Sequence, residues 1–278
     1  YLLTLWDWKS ETIILRAKAF SQEVFRVAFS PRSDGALVTS GTGHIRFWRM
    51  ASTFTGTKLQ GAIGKFGALE LSDISGYAEL SPSVVVSGSD WGNLVLWEGG
   101  LVKCEVRRAG GAPCHPGGVG AMAVDGDRLL TAGADGCVRA WDVAALELAE
   151  PGEDGAPFEL EPRRDVALGG GAGRLSSVSR GPDGRLLVVG AGGLHTLDLA
   201  GGRAARVLAF HEGAVADVDT SPAAHVAVTA GADGSVRLWD VAVRAQLAAA
   251  HFGVGAASVA WAPSAADASA RLVVVGFD

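Results

Sequence analysis

Three observations make this an all-β chain of repeated four-stranded antiparallel sheets. First, ten residues recur almost unchanged: GADGCVRAWD at 133–142 and GADGSVRLWD at 231–240 agree at eight positions. GSDWGNLVLWE (88–98) and GTGHIRFWR (41–49) share their shape, GAGGLHTLDL (190–199) is a degenerate copy, and the chain opens with LLTLWDW. Second, the residues closing these segments are Trp6, Trp48, Trp97, Trp141, Leu197 and Trp239, spaced by 42, 49, 44, 56 and 42 residues. Third, two further elements precede each turn. One alternates and breaks at a Pro, Asp or Gly turn, as in VFRVAFSP, AVADVDTSP and ASVAWAPS. The other is a continuous apolar run, as in ALVTSG, SVVVSG, RLLTAG and HVAVTAG. A unit of about 42 residues with four short strands is one blade of a β-propeller.

The physics favours radial assembly. A lone four-stranded sheet is apolar on both faces and buries neither, whereas stacking sheets side by side hides each face and leaves only short edges. In chain order, the sequence starts with a third strand and ends after a second. Five complete blades with a half-blade at each end follow, read as one propeller domain over 1–278. Both ends look cut, so the favoured expectation is a fragment of a seven-bladed ring in a longer polypeptide; in a six-bladed ring the two halves would complete each other. VAVRAQLAAAH (241–251) has helical propensity, but its place in the repeat makes it an outer strand plus its loop. Met50–Gly67 reads as a long connection, carboxylate-rich Leu146–Asp165 as a solvated loop, and LGGGAGRLSS (168–177) as a flexible connector into a strand.

Bulk chemistry narrows the function. With 24 basic and 30 acidic residues the net charge is −6, which disfavours the counterion release that drives nucleic-acid binding. The adjacent pairs Arg107-Arg108 and Arg163-Arg164 read as solvated loop charges. No apolar run is long enough to span a membrane, and no signal peptide opens the chain. Three cysteines (Cys104, Cys114, Cys137) form no disulfide framework and fit a reducing, cytoplasmic setting. Cys114-His115 lacks a second pair to complete a zinc site. GAIGKFG (61–67) has Phe66 where a phosphate loop needs Ser or Thr. No cofactor is expected.

These units resemble the WD-repeat family, whose propellers serve as protein-interaction platforms. Its Trp-Asp ending falls on Trp6-Asp7, Trp141-Asp142 and Trp239-Asp240. The resemblance places the family's turn aspartate on Asp135 and Asp233, its loop histidine on His115 and His211, and its second-strand hydroxyl on Thr131 and Thr229. Phe20 stands where a histidine is expected, and Leu197 replaces a tryptophan. Hydroxyl, histidine and carboxylate imitate a catalytic triad. The trio recurs at blade spacing without a nucleophile elbow, so it reads as a hydrogen-bond chain tying loop, second strand and Trp141 or Trp239 together, with no catalytic residue.

Tryptophans that blades do not require point to partners. Trp261 is expected at the first-strand core position that Phe29 holds earlier, which leaves Trp8 and Trp91. Trp91 lies in the turn SDWGN, either as a partner contact or folded back on its own blade. With Trp8, Arg107 and Arg108 it completes the candidate partner contacts. TFTGTKLQG, SDISGYAEL and WEGGL are not demanded by blade mechanics, and residues 3–120 resemble the cilia- and flagella-associated protein 44 family. The Ala/Gly/Arg-rich second half suits a green alga. The resemblance implies a non-catalytic scaffold of the ciliary axoneme in the tether and tether head of the two-headed inner dynein arm. Its implied partners are inner-arm dynein heavy chains, a related ciliary WD-repeat protein and the doublet microtubule, with no nucleic acid and no membrane. The alternatives are a microtubule-associated WD protein binding tubulin directly, which the acidic balance disfavours, and a propeller hydrolase.

Overall fold

The alternation becomes strands throughout the computed structural model, which describes residues 1–54, 56–169, 173–181 and 183–277. β1 (Leu2–Asp7) and β2 (Thr12–Lys18) form a two-stranded antiparallel sheet. β3 (Val24–Phe29), β4 (Ala36–Gly41), β5 (His44–Thr53) and β6 (Gly56–Ile63) form a four-stranded meander. β7 (Tyr77–Ser81), β8 (Val84–Gly88), β9 (Leu94–Glu98) and β10 (Leu101–Arg107) repeat it. In the next sheet β11 (Val119–Asp125), β12 (Arg128–Gly133) and β13 (Cys137–Asp142) come first. Helix α1 (Val143–Glu147) and β14 (Phe158–Glu159) then precede its fourth strand, β15 (Arg164–Ala167). β16 (Leu175–Arg180), β17 (Leu186–Gly190), β18 (Gly193–Asp198) and β19 (Arg203–Ala209) make another meander, as do β20 (Val215–Thr220), β21 (Val226–Gly231), β22 (Ser235–Asp240) and β23 (Ala245–His251). β24 (Ala256–Trp261) and β25 (Val273–Phe277) close the order as an antiparallel pair. These are WD-type blades.

Burial follows position within a blade. Second strands lie between two apolar faces, so ALVTSG (β4) and VVVSG (β8) are buried at nearly every residue. The outer strand β23 is exposed at nearly every residue, which is why its alanines override no packing rule. VAVRAQLAAAH is thus the turn and outer strand its repeat position required, because cross-strand pairing to β22 outweighs helix propensity.

The chain divides into two compact units, residues 1–190 with 195–205, and residues 191–194 with 206–278. In the first, apolar clusters join consecutive sheets. Leu3, Leu37 and Trp48 link β1–β2 to β3–β6, Ile45, Tyr77 and Trp97 link the next two sheets, and Leu96, Met122 and Trp141 continue the series. Leu130, Val138, Val178 and Val188 extend it to β16 and β17. In the second unit Val228, Ala230, Ala256 and Val259 pack β21 against β24.

Four expectations are corrected. Met50–Gly67 is mostly not a connection: the β5–β6 hairpin stays in register from Arg46↔Ile63 to Thr53↔Gly56. Leu146–Asp165 is a solvated loop only in part: its residues 150–156 are exposed, but Leu146 and Ala149 are fully buried and Phe158 and Leu160 pack on the core. Its β14 runs parallel to β10, pairing Val106 with Phe158. The arginine pairs are not all on loops, since Arg107 ends β10 and Arg164 opens β15. Arg163 and Arg164 are exposed as expected; Arg163 bonds Asp127 at 2.9 Å and also Asp142, and Arg108 bonds Glu161 at 2.9 Å. Phe29 is 63% exposed, so it is no core residue, although Trp261 at the same register position is half-buried and donates to the Ala270 carbonyl at 3.2 Å. The middle of the glycine-rich connector, residues 170–172, lies outside the described residues.

Candidate functional site

Each hydrogen-bond chain is assembled by the turn between a second and a third strand. Trp141 Nε1 on β13 donates to Thr131 Oγ1 on β12 at 2.9 Å, and that oxygen lies 2.7 Å from His115 Nε2. His115 Nδ1 lies 3.0 Å from Asp135 Oδ1. The tautomer that satisfies both neighbours has Nδ1–H donating to Asp135 and Nε2 accepting from the Thr131 hydroxyl. Arg139 Nη1, which only donates, lies 2.7 Å from the same Nδ1 and is bonded to Asp135. Arg139 Nη1 donates to Asp135 Oδ2 at 2.6 Å and its Nε to Asp165 at 2.9 Å. Burial alone would raise the Asp135 carboxyl; the bonds from His115 and Arg139 prevail and bring it to about 2. His115, Thr131 and Trp141 are each fully buried.

The second copy repeats the tryptophan–threonine–histidine–aspartate distances but not the arginine bond, since Arg237 stands 3.7 Å from Asp233 and donates to Ser235 and Gln246. Trp239 donates to Thr229 Oγ1 at 2.8 Å, Thr229 lies 2.7 Å from His211 Nε2, and His211 Nδ1 lies 3.1 Å from Asp233. Ser235, where the first copy has Cys137, donates to Asp233 at 2.7 Å. Asp233 resists the upward push of burial through the Glu212 backbone N–H and Ser235, and is held well below the carboxylate range. Both turns need glycine, because a Cβ on Gly133 would stand 2.1 Å from His115 Nδ1, and one on Gly231 2.2 Å from His211 Nδ1.

Two partners of this kind went unseen in the sequence. Trp48 Nε1 donates to Thr39 Oγ1 and Trp97 Nε1 to Ser87 Oγ, each at 2.9 Å. The signal was a hydroxyl nine or ten residues before each closing tryptophan, the offset that also separates Thr131 from Trp141. Leu187 stands ten residues before Leu197, so that sheet loses both ends of the bond. Phe20, at the missing histidine position, stacks on His44 with ring centroids 3.9 Å apart. Trp6, in the two-stranded β1–β2 sheet, is 58% exposed.

The candidate partner contacts are dispersed. Trp8 is 77% exposed on the β1–β2 turn, with Lys9 Nζ 5.7 Å from its ring. Trp91 folds back: it is half-buried and its Nε1 donates to Glu105 Oε1 at 3.3 Å. Arg107 pairs with Glu105 at 3.1 Å, while Arg108 turns to Glu161. Trp91 and Arg107 therefore meet at one carboxylate; Arg108 and Trp8 do not join them. Burial pushes the Cys114 thiol up to about 12, and it donates to the Val106 carbonyl at 3.3 Å, so it behaves as a small core residue and not as a nucleophile.

The comparisons agree with the blades. The WD domain, G-beta repeat model matches residues 112–142 and 202–240. Cilia- and flagella-associated protein 44 of Mus musculus is 41% identical over 100% of this chain, and the protein of that name in Chlamydomonas reinhardtii is 49% identical over 90%. The chain spans 15% of the length of either relative. The 77 kDa echinoderm microtubule-associated protein of Lytechinus variegatus is 29% identical over 86% of the chain and 33% of its own length. The chain carries WD repeats and is homologous over most of its length to proteins named cilia- and flagella-associated protein 44.

Proposed function

We propose that this chain is a non-catalytic scaffold segment of a cilium- and flagellum-associated protein, residing in the axoneme. There it links inner-arm dynein motor domains to the doublet microtubule and regulates beating. The observation that carries the reading is 41% identity across the whole chain to a relative named for cilia and flagella. The hydrogen-bond chains support a scaffold: Thr131 is completely buried with its oxygen occupied by an indole, a poor nucleophile but a firm tie. Trp8, Trp91, Arg107 and Arg108 are the candidate contacts to protein partners. A second reading, direct tubulin binding, is favoured by the similarity to the echinoderm microtubule-associated protein.

Crosslinking mass spectrometry on intact axonemes separates the two. Crosslinks from this segment to dynein heavy chains are the expected result, and crosslinks to tubulin alone overturn it for the second reading. Hydrolytic turnover by the purified chain that His211→Ala abolishes would overturn the non-catalytic role.

A further inference from the structure

The β7–β10 sheet departs from the repeat at the place where two of its siblings are tied. Counting back from the closing tryptophan, Trp91 stands six residues before Trp97, as Asp135 does before Trp141 and Asp233 before Trp239. Val95 likewise takes the position of Arg139 and Arg237. With that arginine gone, the residue facing it across the outer strand is released. Glu105 pairs with Val95 in register as Asp165 pairs with Arg139. Its buried Oε1 instead gathers Trp91 Nε1 at 3.3 Å, Asn93 Nδ2 at 2.5 Å and Arg107 Nη2 at 3.3 Å. The sheet has given up an aspartate tie and set a half-buried indole in its place.

That indole lines a cavity of about 400 Å³ with Leu69, Glu70, Asn93, Glu105 and Arg107. Asn93 is 3% exposed, and its Oδ1 has no partner among the described residues, an acceptor left without a donor at a cost folding normally avoids. Arg107 Nε is also without a partner. The two lining carboxylates outnumber the one guanidinium, which is already paired with Glu105. An acidic ligand would meet Glu70 and Glu105. A cation would meet the half-buried Trp91 ring and the exposed Glu70 carboxylate.

We infer that this cavity docks the basic side chain, arginine or lysine, of a protein partner, its cationic head over Trp91 and beside the Glu70 carboxylate. The inference rests on the scaffold reading above and names the chemistry of one partner. Its test is independent of axonemes, so a failed titration leaves the crosslinking result standing, and the reverse.

The test labels the 278-residue chain with 5-fluorotryptophan and assigns the Trp91 ¹⁹F resonance by Trp91→Phe. The probes are the N-acetyl amides of arginine, lysine and glutamate. Saturable movement of the Trp91 line by the two cations and not by glutamate is expected, with affinity falling about tenfold in Glu70→Lys, an exposed position. An unchanged melting temperature shows that this variant is folded. A Trp91 line that ignores both cations, or that moves equally with glutamate, overturns the inference. So does a folded Glu70→Lys chain that binds arginine amide undiminished.

Discussion

Asp135→Ala tests whether the triad look-alike is a structural tie. The carboxylate accepts from His115, Arg139 and the Cys137 backbone N–H, at 3.0, 2.6 and 3.2 Å. Its lowering from 3.8 to about 2 corresponds to about 2 kcal/mol of stability at neutral pH. Leaving the fully buried His115 N–H unpaired costs a further 1–3 kcal/mol or so, overlapping with that figure. Arg139 keeps Asp165 and is not stranded. Together these set an expected loss of about 2–4 kcal/mol in urea unfolding followed by tryptophan fluorescence. The pH dependence has a definite sign. Because the folded carboxyl lies below its unfolded value, its contribution is complete above about pH 4 and is lost as the pH falls towards 2. The gap between wild type and variant should therefore narrow across that window. A loss at neutral pH below about 0.5 kcal/mol, the range of an ordinary surface change, would refute the reasoning.

Thr39→Val and Ser87→Ala each strip the acceptor from a buried indole, and each should cost about 1–3 kcal/mol by the same assay. Gly133→Ala should displace His115 and lower the melting temperature well beyond Gly43→Ala. Gly43 has φ 63° with open space around its missing Cβ and should cost only about 1 kcal/mol.

The blades were legible because each strand repeats a pattern of period two and each turn repeats glycine and aspartate. His115, Thr131, Asp135 and Trp141 were legible as one chain because a ten-residue motif and one upstream histidine supply every member. What escaped depends on register and coverage, which a linear pattern does not carry. Glu105 gains its role from facing Val95 across two strands. Phe29 alternates like a core residue, yet alternation assigns a side chain to a face without saying what covers that face. Leu146, Ala149, Phe158 and Leu160 are scattered among carboxylates, so their burial shows only once α1 and β14 lie against the neighbouring sheet.

Repeat proteins usually come apart as a row of separable modules, each answering only to its neighbours. The parallel pairing of Phe158 and Glu159 with β10 sets one exception within this chain. A length of backbone belonging to one module is stitched into the hem of the module before it, with Lys103–Glu150 and Arg108–Glu161 as further stitches. Under a mechanical load, separating these two modules has to break that pairing as well as their packing, and at Val106 and Arg107 the hem is already taken against a foreign strand seeking an edge to join.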